Sequence, residues 1–321
     1  MTPDAPMGGH KGSGVLRIGT RASALARTQS EYVAALLRDR LGVETTLVDI
    51  VSEGDRNPGP LDQIGGTGVF VTAVREAVVA GTVEVAVHSL KDLPTQADNR
   101  LTLAAVPRRE DPRDALVARD GLTLGELPAG ARVGTGSPRR AAQIHALGLG
   151  VDVVPIRGNV DTRLRKVAAG EMDAVVLARA GLLRLDRADV VTEILDPIQV
   201  LPAPGQGALA VEVSSAVPAL AAEVAAALDD ADSRACVTAE RALLAALEAG
   251  CTAPVGALAE VAEGDDGPEI YLRGVVSALD GSNDVRLSAT GHPAHAADLG
   301  RRLADEMLSV GAAQLMGETV R

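Results

Sequence analysis

VLRIGTRASALARTQSEYVAALLRDRLGVETTLVDIV, residues 15–51, decides the fold class. Its ends, VLRIGT at 15–20 and VETTLVDIV at 43–51, are short runs of aliphatic and β-branched residues. Between them Ser23 opens an Ala/Leu-rich stretch that reads as a helix to about Leu41. Strand, helix and strand in close succession make a βαβ unit, the opening of a parallel sheet. The rhythm continues beyond a Gly/Pro-rich loop at 52–68, with a helix predicted at 69–80 and strands at 83–88 and 101–106. A connection of that length points to a function of its own.

From residue 113 the rhythm repeats. Strands at 114–118 and 131–135, a helix after Ser137, a strand at 151–156, a helix after Asn159 and a strand at 173–178 form a second, similar unit. PAPGQG at 202–207 is rich in breakers, and the apolar run at 208–213 reads as a strand crossing back to the first unit. Beyond Asp229 a helix at 232–249 precedes three consecutive strand-like runs (254–261, 269–279, 284–290) and a last helix at 294–316. Strands without intervening helices indicate a small antiparallel α+β domain. The expected organisation is a flexible tail (1–14), a first α/β domain (15–108 with 208–229), a second (109–207) and an α+β domain (230–321).

Composition narrows the function. Of 321 residues 46% are hydrophobic, enough for buried cores, but the aromatics are only two Tyr and one Phe, with no Trp. Stacking platforms for single-stranded nucleic acid and interfacial belts for a membrane are therefore not expected, and a net charge of −12 disfavours a polyanionic macromolecule as partner. Two cysteines, Cys236 and Cys251, cannot form a disulfide framework, and the histidines show no metal-ligand spacing. With no apolar leader core in MTPDAPMGGHKGSG and no run long enough to span a bilayer, a soluble cytoplasmic protein is expected. The only lysines are Lys11, Lys91 and Lys166, so 28 of the 31 basic residues are arginines, the side chain suited to bidentate carboxylate or phosphate binding.

In open parallel sheets ligands sit beyond the carboxyl ends of strands, where helix N-termini present free N–H groups. Four predicted strand ends carry cations or hydroxyls: Thr20-Arg21-Ala22-Ser23, Ser89-Leu90-Lys91-Asp92, Gly134-Thr135-Gly136-Ser137-Pro138-Arg139-Arg140, and Arg157-Gly158-Asn159 followed by Thr162 and Arg163. Any one of these alone reads as a solvated loop. Arg139, Arg140 and Arg163 fall near helix N-termini, where a cation opposes the helix dipole unless an anion is present. Ser137 and Asn159 have the plainer role of N-caps. Asp92 is the one acid read within this basic set, either a turn residue or a group that shuttles a proton and stabilises a developing cation. Neither GGTGVF (65–70) nor GTGSPRR (134–140) fits a nucleotide loop. Cys251, in EAGCTAP, reads as a small buried hydrophobe or as a reachable thiol in a loop. A two-lobed anion receptor or effector-binding domain would share such an Arg-lined cleft, but needs neither Asp92 nor an accessible Cys251.

The ordered motifs LRIGTRASALA (16–26), GGTGVFV (65–71), VAVHSLKDLPT (85–95), REDPRDALV (109–117), VGTGSPRR (133–140), IRGNVDTRL (156–164), DAVVLARAGLLRL (173–185), LPAPGQGALAVE (201–212) and ERALLAALEAGCTAPVG (240–256) make the chain resemble the porphobilinogen deaminase (hydroxymethylbilane synthase) family. The resemblance implies two α/β domains like type II periplasmic binding proteins and a third domain bearing a covalent cofactor. It implies a transferase of tetrapyrrole biosynthesis that joins four porphobilinogen molecules head to tail, releasing ammonia, onto a dipyrromethane primer, and then hydrolyses off hydroxymethylbilane. By that resemblance Cys251 carries the dipyrromethane as a thioether and Cys236 is structural. Lys91, Ser137, Arg139, Arg140, Arg163 and Arg184 are expected to hold cofactor carboxylates. Arg21, Ser23, Phe70, Arg157 and Gln206 are expected to meet substrate, and Asp92 to be the catalytic carboxylate. No metal and no obligate protein partner are expected, and the family precedent is a monomer. Two departures stand out: Thr67, where the family often has Lys, and GSPRR, where it has SSLRR. Pro138 is acceptable in a helix first turn, so the arginine geometry is retained.

Overall fold

A computed structural model of the chain describes residues 14–50, 69–248, 253–265 and 267–316. The first unit opens with β1 (Leu16–Thr20), α1 (Ala24–Leu41) and β2 (Thr45–Asp49). Ser23 caps α1 by accepting from the Ala26 amide, and Gly42, at φ 66°, ends it with its amide on the Arg38 carbonyl. Gln29, Ser30, Val33, Ala34 and Leu37 are its buried residues, a single face at helical spacing. After α2 (Val69–Val79) come β3 (Val85–Ser89) and β4 (Leu101–Ala105).

The second unit contains β5 (Asp114–Ala118), β6 (Arg132–Thr135), α3 (Pro138–Ala146), β7 (Asp152–Pro155), α4 (Val160–Ala168), β8 (Ala174–Ala178), α5 (Arg179–Arg184) and the short β9 (Glu193–Ile194). The chain then returns through β10 (Leu209–Ser214), followed by α6 (Pro218–Leu228) and α7 (Ala231–Ala246). It closes with β11 (Val255–Gly264), β12 (Gly267–Ser277), β13 (Asp284–Gly291), α8 (Ala296–Ser309) and α9 (Ala312–Leu315).

The sheet orders make the two units repeats of one plan. The first is β2-β1-β3-β10-β4 and the second β7-β6-β8-β5-β9. In each, three parallel strands are followed by one antiparallel strand that arrives from the other unit, β10 in the first and β5 in the second. The third sheet, β11-β12-β13, is antiparallel throughout. The fold class is therefore the expected α/β one: two α/β lobes built on one strand plan and an α+β domain with a small antiparallel sheet.

Burial follows from the layers. In the second lobe, Leu116, Val133 and Val176 pack with Ile144 in one cluster, while Val117, Val175 and Leu177 pack with Val167 and Leu182 in another, so both sheet faces are covered. In the α+β domain, Ile270 and Leu272 of the sheet meet Leu243 and Leu247 on one side of the chain and Leu299, Leu303 and Met307 on the other. Three elements were not expected from the sequence: α5, α6 and β9. The Ala-rich run of α6 offers no apolar/polar alternation, and β9 has only two residues. The expected last helix at 294–316 is corrected to two, because Gly311 at φ 102° separates α8 from α9. The helix expected at 232–249 ends at Ala246, and Glu248 has φ 52°.

Candidate active site

β3 runs into a 3-10 turn, Leu90–Asp92, and this turn presents Lys91 and Asp92. Leu90 is fully buried, and its amide donates to the Ala208 carbonyl at 3.0 Å, which fastens the turn to the chain entering β10. Beside it lies a cavity of about 80 Å3 lined by Arg21, Ser23, Gln29, His88, Ser89 and Asp92. Gln29 donates to the Ser89 hydroxyl at 2.9 Å. His88 is buried, with Nε2 3.5 Å from Glu212, and desolvation outweighs that carboxylate to push its pKa down to about 4.

Asp92 faces the cleft and water reaches it. Even so, the surrounding protein mass raises its pKa by desolvation, a push that Lys91 and Arg21 oppose and cleft water moderates. Among the described residues no donor hydrogen-bonds its carboxylate. Lys91, half-buried, is pushed down to about 8 by desolvation and by the nearby Arg140, against the pull of Asp92 and Asp114.

From Lys91 a chain of contacts crosses between lobes. Its Nζ donates to Oε1 of Gln206 at 3.3 Å, and Gln206 Nε2 donates to Asp114 Oδ1 and to the Pro112 carbonyl, each at 2.7 Å. Asp114, at the start of β5 and wholly inaccessible, takes Arg139 on one oxygen at 2.8 Å and Arg140 on the other at 2.7 Å. Burial opposes its ionisation, but the two guanidiniums together outweigh that and hold its pKa well below the usual carboxylate range. Asp92 was expected to be the single acid of the set; Asp114 corrects that. The anion needed by cations at the start of α3 is supplied by the chain itself.

Pairing with Asp114 does not exhaust the two arginines. Arg139 also donates to the Leu201 carbonyl and Arg140 to the Val176 carbonyl, yet the buried Nε of each has no partner among the described residues. Ser137 caps α3 by accepting the Arg140 amide at 3.4 Å. Its predecessor Gly136 has no room for a side chain, since a Cβ there would lie 2.8 Å from the Ile156 carbonyl oxygen. Arg163, on α4, donates Nε to the Gly158 carbonyl at 2.9 Å, and desolvation and the neighbouring Arg140 lower its pKa. Arg157 is exposed after β7. Arg184, at the end of α5, reaches the crossover, where it donates to the Gly207 carbonyl at 2.7 Å near Glu110.

The crossovers run side by side. Arg109 donates Nε to the Gln206 carbonyl at 2.8 Å, and the Glu110 amide donates to the Gly207 carbonyl at 3.3 Å. Gly207 has φ 87°, and a Cβ there would fall 2.3 Å from the Glu110 carbonyl oxygen, so only glycine serves. Glu240 of α7, fully buried, ties both crossovers to the α+β domain: it accepts from Arg109 at 2.6 and 3.0 Å, from the Gly205 amide at 2.6 Å and from the Ala259 amide at 2.8 Å.

Cys251, Thr67 and the loop at 52–68 lie outside the described residues, as does the side chain of Phe70, whose backbone belongs to the first turn of α2. Cys236 is buried and desolvation pushes its thiol up to about 12, as befits a structural residue. No cluster of metal-ligating side chains occurs among the described residues. Sequence reasoning missed Asp114, Gln29 and Glu240. For Asp114 a signal was present: an acid opening a wholly apolar strand must find buried cations.

Two lobes joined by paired crossovers, with donor side chains from both meeting there beside one water-facing carboxylate, define a two-lobed protein for a polyanionic ligand, equipped for acid–base chemistry. Family models identify which one. The model described as "Porphobilinogen deaminase, dipyromethane cofactor binding domain" matches residues 16–222, and "Porphobilinogen deaminase, C-terminal domain" matches 234–309. The chain is 59% identical over 310 residues to the porphobilinogen deaminase of Mycobacterium tuberculosis (strain H37Rv), covering 94% of this chain and 98% of that protein. It is 59% identical over 311 residues to that of Nocardia farcinica, covering 94% and 88%. A solved ABC-transporter periplasmic substrate-binding protein from Coxiella burnetii aligns over 66% of this chain and 91% of its own at 13% identity, with a TM-score of 0.43. The chain belongs to the porphobilinogen deaminase family.

Proposed function

We propose that the protein joins four porphobilinogen molecules head to tail, releasing ammonia at each addition, onto a dipyrromethane held as a thioether by Cys251, and then releases hydroxymethylbilane by hydrolysis. Each pyrrole brings an acetate and a propionate, so the growing chain is a polycarboxylate that calls for donors around it. The observation that carries this reading is the pair of unpartnered Nε groups on Arg139 and Arg140, next to Lys91 and Arg163. A buried donor left unpaired costs roughly 1–3 kcal/mol, and a carboxylate-bearing primer supplies the acceptor. The donor set thus fits a dipyrromethane. When bound, that group supplies the pyrrole carbon from which the chain is extended.

Lys91, Ser137, Arg139, Arg140, Arg163 and Arg184 are assigned to the primer's carboxylates, and Arg21, Ser23, Phe70, Arg157 and Gln206 to the incoming substrate. Asp92 has the central role. Its carboxylate stabilises the positive charge left on the substrate as ammonia departs, and takes the proton released on coupling. A carboxyl whose pKa is raised holds and releases a proton closer to neutral pH than an ordinary aspartate does. On this proposal the biosynthetic reaction is assigned to the cytoplasm. Among the described residues no helix is long and apolar enough to cross a membrane.

Intact mass tests the reading. The purified protein is expected to exceed its 32.8 kDa chain by one dipyrromethane. A bare-chain mass, or an adduct that survives Cys251→Ser, overturns it.

A further inference from the structure

Asp92 works only if its turn is held, and besides the Lys91 side chain on Gln206 the backbone around the turn has two fastenings. On one side the Leu90 amide donates to Ala208 at 3.0 Å, within the first lobe. On the other side the fastening comes from the α+β domain: Arg241 of α7 donates Nη1 to the Leu93 carbonyl at 3.0 Å and Nη2 to the Pro94 carbonyl at 2.6 Å. The carboxylate lies between the two.

Arg241 belongs to a stripe along α7. Ser233 accepts the Arg109 amide at 2.8 Å, Val237 packs in one cluster with Leu90 and Leu93, Glu240 takes both crossovers, and Arg241 takes the two carbonyls. Positions i, i+4, i+7 and i+8 share one helix face. That face is laid against the elements that set where Asp92 points. A planar guanidinium can donate from two nitrogens to successive carbonyls at once, whereas an ammonium is a point donor. Hydrogen bonds from a charged donor are stronger than those of a neutral pair, which favours one conformation of a short turn.

We infer that Arg241 is a positioning residue of the coupling reaction: by holding the Leu93 and Pro94 carbonyls to α7, it keeps the turn carrying Asp92 in register with the α+β domain. The inference rests on the proposed transferase reading. A displacement of about 1 Å at a reacting group can cost on the order of 100-fold in rate, so loosening one of two fastenings is expected to cost about tenfold in kcat.

The test compares the parent with Arg241→Met, which keeps reach and removes the donors, and Arg241→Lys, which keeps the charge. Amide hydrogen exchange over residues 90–96 is expected to quicken in Arg241→Met while exchange in β5, β6 and β8 stays at parent rates. Per primer-bearing molecule, counted by intact mass, kcat is expected to fall about tenfold with KM within twofold, and Arg241→Lys is expected to recover only part of it. Unchanged exchange at 90–96 overturns the inference. So does a loss accounted for by less primer, by KM, or by faster exchange everywhere, since that is general destabilisation. If Arg241→Met does not fold, Arg241→Lys decides on the same two readouts. Failure of the transferase reading looks different: the parent itself would lack the primer mass and would not consume porphobilinogen, whatever the exchange data show.

Discussion

Two carboxylates stand near the junction of the lobes, Asp92 in the turn after β3 and Asp114 at the start of β5, and opposite things have been done to them. Asp92, in the first lobe, faces water in the cleft, has cations near it without a described hydrogen bond, and has its pKa raised by desolvation. Asp114, in the second lobe, is sealed from water, gripped by Arg139, Arg140 and Gln206, and has its pKa lowered because those partners outweigh burial. An acid that must exchange a proton with a ligand cannot have its lone pairs committed. An acid that must hold two arginines in place has to have them committed. The lobes share a strand plan, so the difference comes from side chains: on the proposed function the first lobe supplies the acid–base group and the second a preorganised set of donors.

The largest expected effect breaks the comparison at Asp92. Asp92→Ala is expected to keep the fold and to lower turnover by roughly 10²–10⁴-fold, the range for loss of a general acid–base group. Circular dichroism checks the fold and product formation the rate; near-parent turnover would leave Asp92 as an ordinary turn residue. The next effect concerns stability. Asp114→Ala leaves two guanidiniums buried without their counter-ion, and breaking a buried pair in this way costs about 3–5 kcal/mol. Denaturant unfolding is the measurement, and a loss below 1 kcal/mol would mean that the arginines find other partners.

The contrast also explains what was legible in the sequence. Strand and helix alternation carried the two lobes and the α+β domain, because burial of sheet faces imposes a period that can be read locally. Ser137 and Asn159 were readable as caps, since a short side chain with an acceptor oxygen opens each helical run; the cap made by Ser23 was not read. The strand-end residues Arg21, Lys91 and Asp92 were legible too, since they follow their strands directly. Asp114 was missed although an acid opening an apolar strand signals buried partners; which partners was not legible, because Arg139, Arg140 and Gln206 lie 25, 26 and 92 positions away and only the tertiary fold brings them to it. Arg241 was hidden for a similar reason: nothing in an Ala/Leu-rich helix announces that one arginine reaches carbonyls 148 and 147 positions earlier.

The smallest effect sharpens the comparison through its sign. A carboxyl whose folded pKa is raised binds its proton more tightly in the folded than in the unfolded state, where the value is about 3.9. Above that pH the folded protein is increasingly destabilised as pH rises toward the folded pKa, and the cost stays in place beyond it. Asp92→Asn removes the titration, so it is expected to be more stable than the parent at neutral pH, with an advantage that shrinks as pH falls from the raised folded pKa toward about 4 and is gone below that. Water reaches Asp92 and screens it, so the gain is expected to be small. For Asp114 the sign reverses. Its folded pKa is lowered, so its contribution is present above about pH 3.9 and is lost as pH falls through the folded value. Melting temperatures of Asp92→Asn and Asp114→Asn against the parent, from pH 7 down to pH 3, therefore should diverge in opposite directions at neutral pH; by pH 3 Asp92→Asn rejoins the parent, while Asp114→Asn still melts below it because the lowered folded pKa of Asp114 has not been reached. If Asp92→Asn is destabilised at pH 7, the Asp92 carboxylate is holding its lobe together as Asp114 does, and the division of labour between the two acids fails.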